Sequence, residues 1–154
     1  MTPRLASPAK AAPEAYQAML DLEQTIAAGG LEHSLLELVK IRVSQINGCA
    51  YCLHMHAADA RKAGESEVRL HLLAAWRESS LFSPRERAAL TWAESLTRIE
   101  QTQASDADYA VLKAQFTETE QVNLTFAIGA INVWNRLAVG FRSAHPAGQP
   151  HVAA

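Results

Sequence analysis

The chain has 154 residues, 49% of them hydrophobic and 19% charged, a balance that suits one domain around a single core and argues against a second. Its formal net charge is −2 and no run of Lys or Arg forms a stripe able to neutralise several phosphates, so nucleic acid is excluded as an expected partner. No apolar run approaches the roughly 20 residues that cross a bilayer, and the opening MTPRLASPAK lacks the apolar centre of a signal peptide; the expectation is a soluble, cytoplasmic protein with no membrane partner.

Pro3, Pro8 and Pro13 make residues 1–12 a poor helix and, by expectation, a flexible tail. From there apolar residues recur every three or four positions, and no alternating Val/Ile/Thr run bounded by turns interrupts them, which predicts an all-α fold. The first helix is expected near residues 13–28, closed by Gly29-Gly30. A second is expected near 31–46, with Leu35, Leu36, Val39, Val43 and Ile46 on one side. Asn47-Gly48 then marks a boundary, and a third helix carries both cysteines and ends at Gly64. A fourth runs near 65–79. The fifth opens at Ser83-Pro84-Arg85-Glu86, which combines an N-cap serine, a first-turn proline and a glutamate three residues after the cap.

Ser105 caps a sixth helix to about Phe116, and Thr117 with Glu120 opens a seventh that reaches about Phe141. That last helix displays Leu124, Phe126, Ile128, Ile131, Val133, Trp134, Leu137, Val139 and Phe141, a set too wide for a simple amphipathic stripe. It belongs either at the centre of the core or on a surface shared with another subunit. The domain is therefore expected over 13–143, with a second flexible tail over the Pro-, Gly- and Ala-rich residues 144–154. A faint echo links the SQING segment ending at Gly48 with the AIGAIN segment ending at Asn132.

The chemistry concentrates in the third helix. The chain's two cysteines, Cys49 and Cys52, stand three apart, with His56 one turn further on. At about 100° per residue, Cys52 lies about 60° and His56 about 20° from Cys49, so an imidazole shares one narrow face with a dithiol. Only a thiolate attacks peroxides or disulfides, and a neighbouring imidazolium or a helix N-terminus stabilises that anion. In a reducing compartment such a pair seldom serves as a staple, and so short a loop would restrict the unfolded chain little.

Other readings fit less well. Cys49, Cys52 and His56 supply at most three of the four ligands of a structural zinc, all from one helical face. Covalent haem needs a His directly after the second cysteine, where Leu53 stands. His54 points about 140° from Cys49, toward the surface, and His33, His71, His145 and His151 have no evident partners. Trp76, Trp92 and Trp134 read as core or interface. Periodicity alone leaves Glu37 a solvated glutamate paired with Lys40.

Residues 37–64, ELVKIRVSQINGCAYCLHMHAADARKAG, closely resemble the AhpD-like alkylhydroperoxidase family within the carboxymuconolactone decarboxylase superfamily. The shared pattern is a Glu, twelve residues to a CxxC, then three residues and a His, and AIGAINVWNRLAVGFR resembles the corresponding C-terminal helix. The resemblance implies an all-α bundle of about six to eight helices that assembles into trimers or hexamers. It also implies thiol-dependent reduction of small alkyl hydroperoxides with no cofactor or metal, and a dithiol or protein reductant as partner. Carried over by position, Cys52 is the peroxidatic thiol, Cys49 the resolving thiol, and His56 with Glu37 the proton relay, which revises the solvated reading of Glu37. Family members often carry a second relay histidine just before the second cysteine; this chain has Tyr51 there. The alternatives are a thiol-disulfide module or sensor without peroxidase activity, and a decarboxylase-type superfamily member.

Overall fold

Helix starts follow from local chemistry. In the computed structural model, which describes residues 2–146, the hydroxyls of Ser7, Ser66, Ser83, Ser105 and Thr117 each accept from a first-turn backbone N–H, meeting donors that the helix itself leaves unpaired. The α-helices among the described residues are α1 (Pro8–Ala11), α2 (Pro13–Ala27), α3 (His33–Asn47), α4 (Ala50–Lys62), α5 (Glu67–Leu72), α6 (Pro84–Thr97), α7 (Ile99–Thr102), α8 (Asp106–Lys113) and α9 (Glu118–Phe141). A 3₁₀ segment, Leu73–Glu78, follows α5.

All seven expected helices are present, and the class is all-α. α1 and α7 are additional single turns. Both capping boxes form, Ser83 with Glu86 and Thr117 with Glu120. The fourth helix does not run unbroken to residue 79: it changes to 3₁₀ after Leu72, with Ala75 at non-helical φ −113° and ψ 25°.

α3 is the central element. Leu35, Leu36, Leu38, Val39, Ile41 and Val43 are buried on it, so its apolar character extends around the helix rather than along one side. It packs against α4, α6 and α9, and the core gathers Val39, Val43, Leu124, Ile128 and Ile131. By length and composition α9 is apolar enough to cross a membrane, contrary to the expectation that no run comes close. Its Leu124, Ile128 and Ile131 instead fill this core.

The two echoing segments meet in space. Asn47 Nδ2 donates to Asn132 Oδ1 at 3.0 Å and to Asn135 Oδ1 at 2.9 Å, and buried Asn135 donates to Ser44 Oγ at 3.0 Å. This polar seam fixes the end of α3 just before the cysteines.

The segment before α2, expected as a tail, lies along the end of α9: the Arg4 backbone N–H donates to Phe141 O at 2.9 Å and its Nη1 to Gly140 O at 3.0 Å. His151 and most of the expected C-terminal tail lie outside the described residues.

Candidate active site

The turn between α3 and α4 places the dithiol. Gly48 takes φ 66°, ψ 33° as the left-handed cap of α3, a conformation that costs other residues strain. The chain then re-enters a helix with Cys49 as N-cap, and Cys49 Sγ accepts the Cys52 backbone N–H at 3.3 Å. Both sulfurs thus sit at the positive end of α4, as the Asn47-Gly48 boundary predicts. They are joined as a disulfide with Cα atoms 5.4 Å apart, and the residues are 1% and 2% exposed.

His56 and Glu37, the other two predicted site residues, meet across the α3–α4 contact. His56 Nδ1 is 2.9 Å from Glu37 Oε2, with the residues 7% and 5% exposed. Glu37 is therefore buried, not solvated: α3 is enclosed on nearly all sides, and the partner that satisfies the carboxylate is 19 residues away in sequence. With Nδ1–H donating to a carboxylate, the neutral imidazole keeps Nε2 as its basic nitrogen.

Two further residues extend this chain of groups: Lys40, which periodicity already pairs with Glu37, and Glu23, which sequence reasoning did not single out. Lys40 Nζ is 2.8 Å from Glu23 Oε2 on α2 and 4.0 Å from Glu37 Oε1, with its side chain largely buried. Glu23 Oε1 also accepts from Trp134 Nε1 at 3.1 Å. The i, i+3 spacing of Glu37 and Lys40 was a readable signal; the contribution of Glu23 was not, because it comes from another helix.

A cavity of about 550 Å³ opens over the site, lined by Cys52 and His56 together with Tyr51, Met55, Trp134 and Leu137 among others. Cys49 is not part of its lining. Tyr51 contributes a half-exposed phenol to the wall. His54 is exposed and stacks on His145 with ring centroids 5.5 Å apart, away from the thiol face. Among the described residues, no three His, Cys, Asp or Glu side chains group as metal ligands.

Comparison with known proteins agrees with this architecture. The profile of the carboxymuconolactone decarboxylase family matches residues 13–95. The uncharacterized protein YdfG of Bacillus subtilis is 42% identical over 83% of this chain and 87% of its own length. The crystal structure of ATU0492 from Agrobacterium tumefaciens, a protein of unknown function described as a candidate antioxidant defence protein AhpD, superposes with a TM-score of 0.91 at 46% identity. That match covers 96% of this chain and all of the other. The debrominase Bmp8 superposes with a TM-score of 0.75 at 19% identity, over 88% of this chain and 72% of Bmp8, a likeness of fold only.

Proposed function

The chain belongs to the carboxymuconolactone decarboxylase family, and from that premise and its buried dithiol we propose that it is an AhpD-like peroxidase, reducing small organic hydroperoxides through Cys49 and Cys52. The observation that carries this reading is the placement of Cys52 and His56 on one cavity, with Glu37 behind the imidazole at 2.9 Å and Cys49 behind the thiol.

The reaction balances in three steps. His56 takes the Cys52 proton, and the thiolate attacks the terminal peroxide oxygen. An S–O bond forms, the O–O bond breaks, and the departing alkoxide takes a proton from His56 to leave as an alcohol. Cys49 then attacks the sulfenic acid, releasing water and closing the Cys49–Cys52 disulfide. A dithiol donor, small or protein-borne, reduces the disulfide by exchange and is itself oxidised.

The dithiol supplies the electrons, so the cycle uses no cofactor. We assign the protein to the cytoplasm, where thiol donors keep such pairs cycling, and read it as a trimer or hexamer of identical chains.

The test is hydroperoxide consumption with dithiothreitol as donor. The wild-type protein consumes cumene hydroperoxide and Cys52→Ser abolishes this, whereas Cys49→Ser, reduced beforehand and freed of dithiothreitol, retains a single turnover that leaves a trapped sulfenic acid. Full activity in Cys52→Ser overturns the mechanism. A pair that cycles between dithiol and disulfide yet consumes no hydroperoxide overturns the peroxidase reading in favour of a redox module.

A further inference from the structure

At about 550 Å³ the cavity over Cys52 lies within the range of sites that enclose whole organic molecules, far beyond what hydrogen peroxide needs. Its walls are mostly apolar, with Leu20, Met55, Trp134 and Leu137 among them. Among the described lining residues Glu23 is the one carboxylate, His56 the one imidazole, and none is Lys or Arg. Glu23 is already engaged on both oxygens, by Lys40 at 2.8 Å and by Trp134 Nε1 at 3.1 Å. An anionic occupant would shed its hydration here and meet a carboxylate, with no cation in the lining to receive it.

One wall of the cavity comes from a part of the chain remote from the motif. Pro3, Leu5, Ala6, Pro8 and Ala9 line it, and Arg4 ties this segment down through its bonds to Phe141 O and Gly140 O. Those carbonyls belong to the last turn of α9, where helix carbonyls lack intrahelical partners and the dipole favours a cation. The guanidinium therefore has a built anchor, and the short side chains that follow it complete the cavity.

Taking the organic hydroperoxide of the proposed function as the premise, we propose that this site turns away anionic peroxides and that the Arg4-anchored segment Pro3–Ala9 is the element that makes the selection. The proposal rests on the peroxidase reading and concerns which peroxide is taken. In the reaction the terminal oxygen goes to Cys52 as the sulfenic acid, and the organic group leaves as a neutral alcohol that fits the same walls.

The experiment compares cumene hydroperoxide, its para-carboxylate and hydrogen peroxide as substrates of the full-length reduced protein, with dithiothreitol as donor. The neutral aryl peroxide is expected to exceed both others at least tenfold in kcat/KM. Ala9→Phe, which adds bulk to the cavity wall, and Arg4→Ala, which removes the guanidinium bond to Gly140 O and leaves only the backbone bond to Phe141 O, are each expected to lower the cumene-to-hydrogen-peroxide ratio at least fivefold. Equal kcat/KM for the carboxylate overturns the substrate class, and an unchanged ratio in both variants overturns the role of the segment.

A second measurement needs no turnover: alkylation of Cys52 by iodoacetamide, followed by mass spectrometry. 2-Phenyl-2-propanol is expected to slow it and 4-phenylbutyrate to leave it unchanged. If none of the three peroxides is consumed, the peroxidase reading falls. Protection by the alcohol alone would still support the cavity's preference, and equal protection by the carboxylate would overturn it.

Discussion

His56 has two nitrogens, and which one is basic decides whether it can serve Cys52. The carboxylate of Glu37, 2.9 Å from Nδ1, holds the proton on that nitrogen and leaves the lone pair on Nε2. Lys40, between Glu37 and Glu23, keeps the carboxylate from being a lone buried charge. A glutamine at position 37 could instead donate its amide N–H to Nδ1 and favour the opposite tautomer, so Glu37→Gln is expected to lower kcat/KM for hydroperoxide by about 10²-fold near neutral pH. The deficit should narrow as pH rises toward the ordinary thiol pKa of about 8.5, where the solvent itself removes the proton. Steady-state assays across pH check this, and a variant within twofold of wild type at neutrality would show that Glu37 is only structural. Tyr51 stands in the same wall without an imidazole's capacity to shuttle protons near neutrality, which leaves His56 as the relay we propose.

Glu94 does for the elements what Glu37 does for the site. From α6 it accepts from Arg42 Nε of α3 at 2.7 Å and from Trp76 Nε1 of the 3₁₀ segment at 2.9 Å, and it also pairs with Arg77. Burial pushes its carboxyl up, but the hydrogen bonds from Trp76, Arg77 and Arg42 outweigh this and hold it below the ordinary carboxylate range. A depressed folded value contributes stability that is complete above the unfolded pKa of about 4.3 and is lost as pH falls through the folded value. The urea midpoint is therefore expected to drop between about pH 5 and pH 3, and Glu94→Gln, which removes this titration, should show a shallower drop from a lower starting stability. Identical slopes in the two proteins would sink the assignment. Little of this was legible beforehand. The serine and threonine caps could be read because their partners lie three residues away; Glu94 could not, with Arg42 52 residues and Trp76 18 residues distant. The break at Ala75 escaped for a similar reason: Leu73 and Trp76 bury themselves in a cluster with Leu38, Ile41 and Leu90, and that packing overrides a segment whose local pattern reads as continuous helix.

Seen along its whole length, α9 presents three surfaces, and only their sum was readable from its wide apolar set. Leu124, Ile128 and Ile131 fill the core, Trp134 and Leu137 line the cavity, and Val122, Phe126, Val133 and Val139 face outward. Distributing them required knowing where α3 and the N-terminal segment lie, and Arg4 reaches α9 across 136 residues of sequence. The outward set carries its own consequence. Phe126 is 54% exposed and Val122 55%, and with Gly129 and Val133 they follow one another at helical spacing of three and four residues, a contiguous apolar stripe of the sort that monomers seldom leave in water. A second copy of this chain is the partner we propose for it, and a closed ring of copies would cover the stripe on every subunit. Sedimentation velocity at micromolar concentration is then expected to show a trimer or hexamer for the wild type. Phe126→Glu, which places a charge in the middle of the stripe where no core contact is lost, should shift the protein to monomer while leaving its helical circular dichroism unchanged. A wild-type protein that sediments as a monomer at 100-fold higher concentration, or a Phe126→Glu variant that assembles as the wild type does, would remove this face from the assembly.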